Sequence, residues 1–206
     1  MTIDTLVAFA LFAFVSSITP GPNNLMLLAS GMNFGFRASM PHMLGISGGF
    51  FILLLAVGFG LGEVFARYPI TYAVMKWAGA IYLVYLAWRI ANAGAVDDPS
   101  EGAASNAIKP TPLSFAGAAL FQWVNPKAWV MAASTFSIYL PPASGWAMVL
   151  AFSALFAAIN LPCVSCWTLF GSRLKRWLKD PHYARVFNIM MAVLLLVSLV
   201  PMLHDH

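Results

Sequence analysis

Thr19-Pro20-Gly21-Pro22-Asn23-Asn24 breaks an apolar run that extends from Leu6 to Met32. A helix needs about 20 apolar residues to cross a bilayer, and this run is long enough. Its centre nevertheless carries two prolines, a glycine and two amides. Each proline lacks a backbone N–H, and its ring clashes with the carbonyl four residues earlier. The carbonyls of Ser16 and Ile18 are therefore expected to lose their helical partners. In hydrocarbon an unpaired backbone group costs several kcal/mol, so broken backbone survives only where protein or a polar cavity surrounds it. A break at this depth is the pattern of a midplane transport site.

The rest of the chain agrees with a membrane setting. Of its 206 residues 61% are hydrophobic and 9% charged, and mean hydropathy is +0.80. Soluble domains carry about 25% charged residues, so the composition predicts an all-α integral membrane protein and leaves no room for a separate soluble catalytic domain. Met-Thr-Ile-Asp at the N-terminus lacks the basic stretch of a cleaved signal peptide, and no Ala-x-Ala site ends the first apolar run. The first helix is expected to be retained. The excess of basic over acidic residues (11 against 7) falls in short loops and reads as a topology signal, not as nucleic-acid binding.

Apolar runs predict six spans, at about 5–32, 40–62, 70–92, 113–139, 145–170 and 184–203. The polar stretch from Gly94 to Pro112 divides them into halves, 1–93 and 113–206, of a single transmembrane domain covering 1–206. Lys and Arg in the loops set orientation. One side collects Arg37, Arg89, Lys109, Arg173, Lys175, Arg176, Lys179 and Arg185; the other has only Arg67. The bias puts the 94–112 linker in the cytoplasm and both termini in the periplasm. Three spans per half make the halves enter the membrane in opposite senses, which allows an inverted repeat. Asn125-Pro126-Lys127 supports one by breaking the fourth span where Pro20 and Pro22 break the first, with Pro126 expected to orphan the Gln122 carbonyl. The plain alternative is two ordinary proline kinks.

Lys127 lies near the middle of the fourth span, where a lysine costs about 2.5–3.5 kcal/mol on insertion scales. Such residues usually face the bundle interior and mark a pathway. No Asp or Glu sits at comparable depth, so its expected partners are freed backbone carbonyls, asparagine oxygens or an anionic group on a substrate. It would bind that group, act as a structural plug on the carbonyls, or carry a proton.

Asn23 and Asn24 begin the second half of the broken first span, where amides can cap free N–H groups and the helix end favours negative charge. The freed carbonyls before the break favour positive charge, so the site complements both ends of a free amino acid. Asn160 and Pro162 interrupt the middle of the fifth span, with the Ala158 carbonyl orphaned, as a third wall of the cavity or a capped kink. Gln122, Ser134 and Thr135 are weaker candidates. Glu63, Asp4 and His42 are fallback proton carriers.

Gly45-x-x-x-Gly49 and Gly58-x-x-x-Gly62 read as packing faces. The basic 172–185 loop, with Leu174, Trp177 and Leu178 on one helical face, reads as an inner-leaflet anchor. Cys163-Val164-Ser165-Cys166 has dithiol spacing, but cysteines in apolar helices mostly serve as small hydrophobes. No metal site, cofactor or catalytic residue is expected.

The signature at 19–24 resembles that of the LysE/RhtB family of bacterial amino-acid exporters. The likeness continues through Gly35-Phe36-Arg37 with Gly45 and Gly48-Gly49, Lys76 to Leu83 with Leu86-Ala87-Trp88, and Phe121 to Lys127. Gly35-Phe36-Arg37-x-Ser39, Trp77-Ala78-Gly79-Ala80, Ser134-Thr135-Phe136 and Cys166-Trp167 look like the branch exporting cysteine and O-acetylserine. The resemblance implies proton-driven export of small neutral amino acids or derivatives across the inner membrane, with a site at Pro20, Pro22, Asn23, Asn24, Asn125, Pro126 and Lys127. Asn160 joins these from the residues themselves. Self-association as a homo-oligomer is left open. The competing readings are a membrane dithiol carrier using Cys163 and Cys166, and a passive channel.

Overall fold

Thr2 opens helix α1 (Ile3–Ile18) by accepting the Thr5 amide on its side chain, and the helix runs until the prolines stop it. The computed structural model describes residues 2–61, 67–93, 111–140, 145–175, 177–178 and 180–200. Pro22 then sits at the first turn of α2 (Pro22–Phe34), where a missing N–H is harmless and a fixed φ helps. The two helices are bent by 53° across the break. Gly35, at φ 86°, ends α2 in the left-handed region that favours glycine. Helix α3 (Met40–Ala56) continues through a π-helical turn (Val57–Leu61), and α4 spans Pro69–Ala91.

A second helix–break–helix stretch follows. Ser114 caps α5 (Phe115–Phe121), which tightens into a 3₁₀ turn (Gln122–Val124) and stops at an extended Asn125. Pro126 starts α6 (Pro126–Ile138) at its first turn. Helices α7 (Trp146–Leu174) and α8 (Pro181–Val197) follow. Every regular element among the described residues is helical, and each of the six expected segments holds helix. Met40–Leu61 and Trp146–Leu174 are long and apolar enough to cross a bilayer alone, and the bent pair α1–α2 passes the same test only when its two helices are taken together. The 94–112 linker up to residue 110, Glu63, and the second glycine of Gly58-x-x-x-Gly62 fall outside the described residues.

Three expectations are corrected. The fifth segment is not interrupted: α7 runs for 29 residues with Pro162 inside it. Proline removes one hydrogen bond and strains one turn, and the helix continues through that loss with Pro162 on its exposed side. The Gln122 carbonyl is not orphaned, because the 3₁₀ turn lets it accept the Asn125 N–H at 3.3 Å. In the basic loop, Leu174 and Leu178 pack against a core formed with Leu25, Leu28 and Phe187. Only Trp177 of that trio stands out from the protein, 86% exposed.

The helices of the two halves interlock. Span-one helix α2 packs along α7, α3 packs along α5, and α4 along α8. Glycines permit the first two approaches. A Cβ on Gly31 would collide with the Thr168 carbonyl, and one on Gly171 with the Leu28 carbonyl; Gly45 and Gly49 stand likewise against the backbones of Phe115 and Ala119. An aromatic cluster of Phe9, Phe50, Phe152 and Phe156 closes one end of the bundle, with Phe9 and Phe152 centroids 4.6 Å apart. A second core joins Leu83, Leu86, Phe121 and Leu195. Val74, Trp77, Ile81 and Trp88 of α4 face outward, an apolar surface larger than water tolerates but suited to lipid. The polar site lies where the two breaks meet.

Candidate functional site

The first break leaves carbonyls without helical partners, and each one described is met by a side chain. The Ser16 carbonyl accepts the Thr19 hydroxyl at 3.1 Å. Trp167 Nε1, on α7, donates to the Ile18 carbonyl at 3.0 Å. Asn24 Nδ2 donates to the carbonyls of Ser17 at 2.9 Å and Thr19 at 2.7 Å. Asn24 therefore holds the end of α1 rather than capping α2. No side chain caps the N-terminus of α2, so its dipole end remains free to attract negative charge.

Lys127 joins the two breaks. Asn125 Oδ1 accepts the Lys127 N–H at 3.2 Å and so caps α6. The Lys127 side chain then reaches across to the first break. Its Nζ donates to the Thr19 carbonyl at 2.8 Å, the Thr19 hydroxyl at 2.9 Å and the Pro20 carbonyl at 3.3 Å. An ammonium has three donors, and all three are used. Gly21 makes room for this strap, since a Cβ there would lie 2.8 Å from Lys127 Cδ and 3.2 Å from Nζ.

A second link between the breaks is neutral. Asn23 and Gln122 exchange two amide hydrogen bonds, at 2.8 and 3.1 Å, and Gln122 Nε2 also donates to the Ala118 carbonyl at 2.9 Å. Gln122 is 0% exposed, and buried amides are tolerated only when bonded in this way. Asn160 supplies the third wall: its Nδ2 donates to Ser17 Oγ at 3.1 Å, and its Oδ1 accepts from Ser47 Oγ at 3.2 Å. The cavity inside these groups is about 20 Å³, roughly enough for a single water.

Asn23, Asn24, Asn125, Lys127 and Asn160 all line this cavity. Pro20 enters through its carbonyl, whereas Pro22 and Pro126 act by starting helices. Gln122, weakly marked in the sequence, is the full partner of Asn23. Ser17, Ser47 and Trp167 were not read from the sequence; the Ser16-Ser17 pair just ahead of the prolines was the available signal. Thr135 does not take part, because its hydroxyl bonds the Met131 carbonyl of its own helix at 2.8 Å. Cys163 is buried and Cys166 exposed, and both are free. They do not share one accessible face, as a dithiol exchanging with a soluble partner requires.

The pattern of LysE type translocators matches residues 14–204 of this chain. The chain belongs to the LysE family. It is therefore a translocator and not an enzyme, and a multi-pass membrane protein. It is 32% identical over 200 residues to a cysteine/O-acetylserine efflux protein of Escherichia coli O139:H28 (strain E24377A / ETEC), covering 95% of this chain and 96% of the relative. The efflux proteins of the same name from Escherichia coli (strain K12) and Shigella sonnei (strain Ss046) are each 33% identical over 199 residues, with 95% of both chains covered. No solved structure matches. For this LysE family chain, the 19–24 signature and the 121–127 segment are the two places where the backbone breaks around one polar cavity.

Proposed function

We propose that this LysE family protein is a secondary exporter of small, largely neutral amino acids or their derivatives, cysteine and O-acetylserine among them. Threonine, homoserine and leucine belong to the same chemical class. It would work across the inner membrane in exchange for protons, with six spans, both termini periplasmic and the 94–112 linker cytoplasmic. The observation that carries the reading is the Lys127 ammonium of the second half, bonded to the Thr19 and Pro20 carbonyls of the first. A cation held on backbone dipoles, with the uncapped start of α2 beside it, can exchange those dipoles for a substrate carboxylate. The vacated carbonyls then accept the substrate ammonium.

The pairing of helices supports an inverted repeat. Exchanging the halves maps span one onto four, two onto five and three onto six. The observed partners, one with five, four with two and three with six, are preserved under that exchange. A cavity of about 20 Å³ is too small for an amino acid. Substrate must therefore enter by parting the two breaks, which is the movement that alternating access requires. Pro20, Pro22, Asn23, Asn24, Asn125, Pro126, Lys127 and Asn160 form the substrate site, and Lys127 either binds the carboxylate there as an ammonium or gives up its proton as the coupled one.

Overexpression in cells fed dipeptides, with amino acids measured in the medium, tests the reading. Raised excretion of one or a few neutral amino acids is expected; an unchanged profile overturns it. A passive channel is distinguished by an uncoupler, which should abolish accumulation against a gradient for an exporter and leave channel flux unchanged.

A further inference from the structure

A second cavity, of about 50 Å³, lies beside the other end of α2, between α2, α3, α4 and residues 111–113. Its polar lining comprises Ser30, Asn33, His42, Arg89 and Thr111. Two of these are already spent on protein partners. Ser30 Oγ pairs with Ser39 Oγ at 2.7 Å. Asn33 exchanges amide bonds with Asn188 at 2.8 and 3.0 Å and also donates to the Ala29 carbonyl at 2.8 Å.

His42 and Arg89 are different. His42 is 2% exposed, yet neither ring nitrogen has a hydrogen-bond partner among the described residues. Orphans of this kind are rare in native proteins and call for an absent water, ion or ligand. Arg89 donates from one Nη to the Thr111 carbonyl at 2.9 Å, which among the described residues leaves most of its five N–H groups over. No Asp or Glu is among the described residues that line the cavity. His42 also stands in the first turn of α3, whose N-cap Ser39 makes no capping bond, so the positive end of that dipole adds to the same field. Among the described residues the cavity thus gathers donors and positive charge without a carboxylate to match them.

We infer that this cavity is a docking subsite for a carboxylate group, the acid end of a small amino acid, held jointly by Arg89 and His42. Guanidinium and carboxylate match in a fork geometry, and the imidazole N–H supplies a further donor to an oxygen. The volume, roughly three or four waters, takes a carboxylate and its attached carbon but not a whole amino acid. The side chain and ammonium would extend toward the opening. Asn33 on this cavity and Pro22 at the break are 11 residues apart on α2, or roughly 16 Å at 1.5 Å per residue. A substrate held here waits one helix length from the Lys127 strap. The placement of the subsite on the cytoplasmic face rests on the export reading; the binding of a carboxylate does not.

The test uses the full-length protein in nanodiscs and equilibrium binding of radiolabelled L-cysteine kept reduced. Cysteamine, which lacks only the carboxylate, serves as competitor. In a Lys127→Ala background the remaining binding should resist cysteamine. Arg89→Gln or His42→Leu should weaken it at least tenfold, while Arg89→Lys and His42→Gln retain part of it. Thermal melting of each variant separates loss of binding from loss of fold, and the two conservative variants keep the test decisive where Arg89→Gln unfolds. Residual binding that is absent in Lys127→Ala, displaced by cysteamine, or unchanged by Arg89 and His42 substitution overturns the subsite and leaves the cavity as a pocket of water. Failure of wild-type protein to move cysteine in proteoliposomes would count against the export reading instead, because the binding assay does not depend on transport.

Discussion

Lys127 Nζ lies 2.8 Å from the Thr19 carbonyl oxygen, 108 residues away in sequence, and bonds the Thr19 hydroxyl at 2.9 Å as well. This contact ties the broken backbone of one half of the chain to the broken span of the other. Charge-assisted hydrogen bonds are about twice as strong as neutral ones, so the strap holds the closed cavity shut. Because nothing of opposite formal charge among the described residues neutralises Lys127 there, an anion offers it a better partner than the dipoles it now has.

Lys127→Ala should abolish export while leaving the protein in the membrane at near-normal amount. The Asn23–Gln122 pair and the α2–α7 packing remain to hold the halves together. Efflux and membrane abundance, measured on the same cells, check both parts; normal export would remove the lysine from the mechanism.

Gly21→Ala and Gly171→Ala should fail in different ways. At Gly21 φ is −179°, an extended conformation open to any residue, and the new methyl would press only on the flexible Lys127 stem. The fold should persist while export falls several-fold. At Gly171 the methyl would meet the Leu28 backbone carbonyl, which cannot move without separating α2 from α7. Overpacking of this kind costs about 1–3 kcal/mol. A lower melting temperature for Gly171→Ala only, read by fluorescence-detected gel filtration after heating, is the expected contrast.

Asn23→Leu and Gln122→Leu should each destabilise the protein by about 1–3 kcal/mol, since each breaks both bonds between the two amides and leaves polar atoms of the partner without them. The double variant should lose less than the sum, with a coupling of about 0.5–3 kcal/mol. Additive losses in a thermal-melting cycle would show that the pair does not act as a unit.

Cys163→Ser with Cys166→Ser should retain export. Cys163 is buried while Cys166 faces out of the protein, so the two are not placed for dithiol exchange. Loss of export with normal membrane abundance would restore the redox reading.

Much of this was legible in the chain. Two prolines and a glycine inside an apolar run demand a break, because proline cannot donate and glycine resists nothing; the structure breaks at those residues, as it does at Asn125-Pro126. Pro162 carries the same local signal, yet α7 passes through it unbroken. Proline removes one bond either way, but Pro22 and Pro126 each follow an extended residue, Gly21 and Asn125, whereas Pro162 stands alone within regular helix. Gln122 was underrated for a related reason, since an amide in an apolar run reads as generic until its partner, 99 residues distant, is known.

The sequence by itself determined that the protein lives in a membrane, where its helices lie, where two of them break and that a lysine stands at one break deep within a span. These follow from local causes: missing donors, fixed dihedrals and apolar runs of a given length. Only the tertiary structure decided that the lysine of one break rests on the carbonyls of the other, that Asn23 meets Gln122, and that Asn160 bridges Ser17 and Ser47. It also decided that His42 is buried beside Arg89 without a partner among the described residues. Those pairings depend on how glycine-lined helices cross, and a crossing is a relation between distant segments that no local pattern contains.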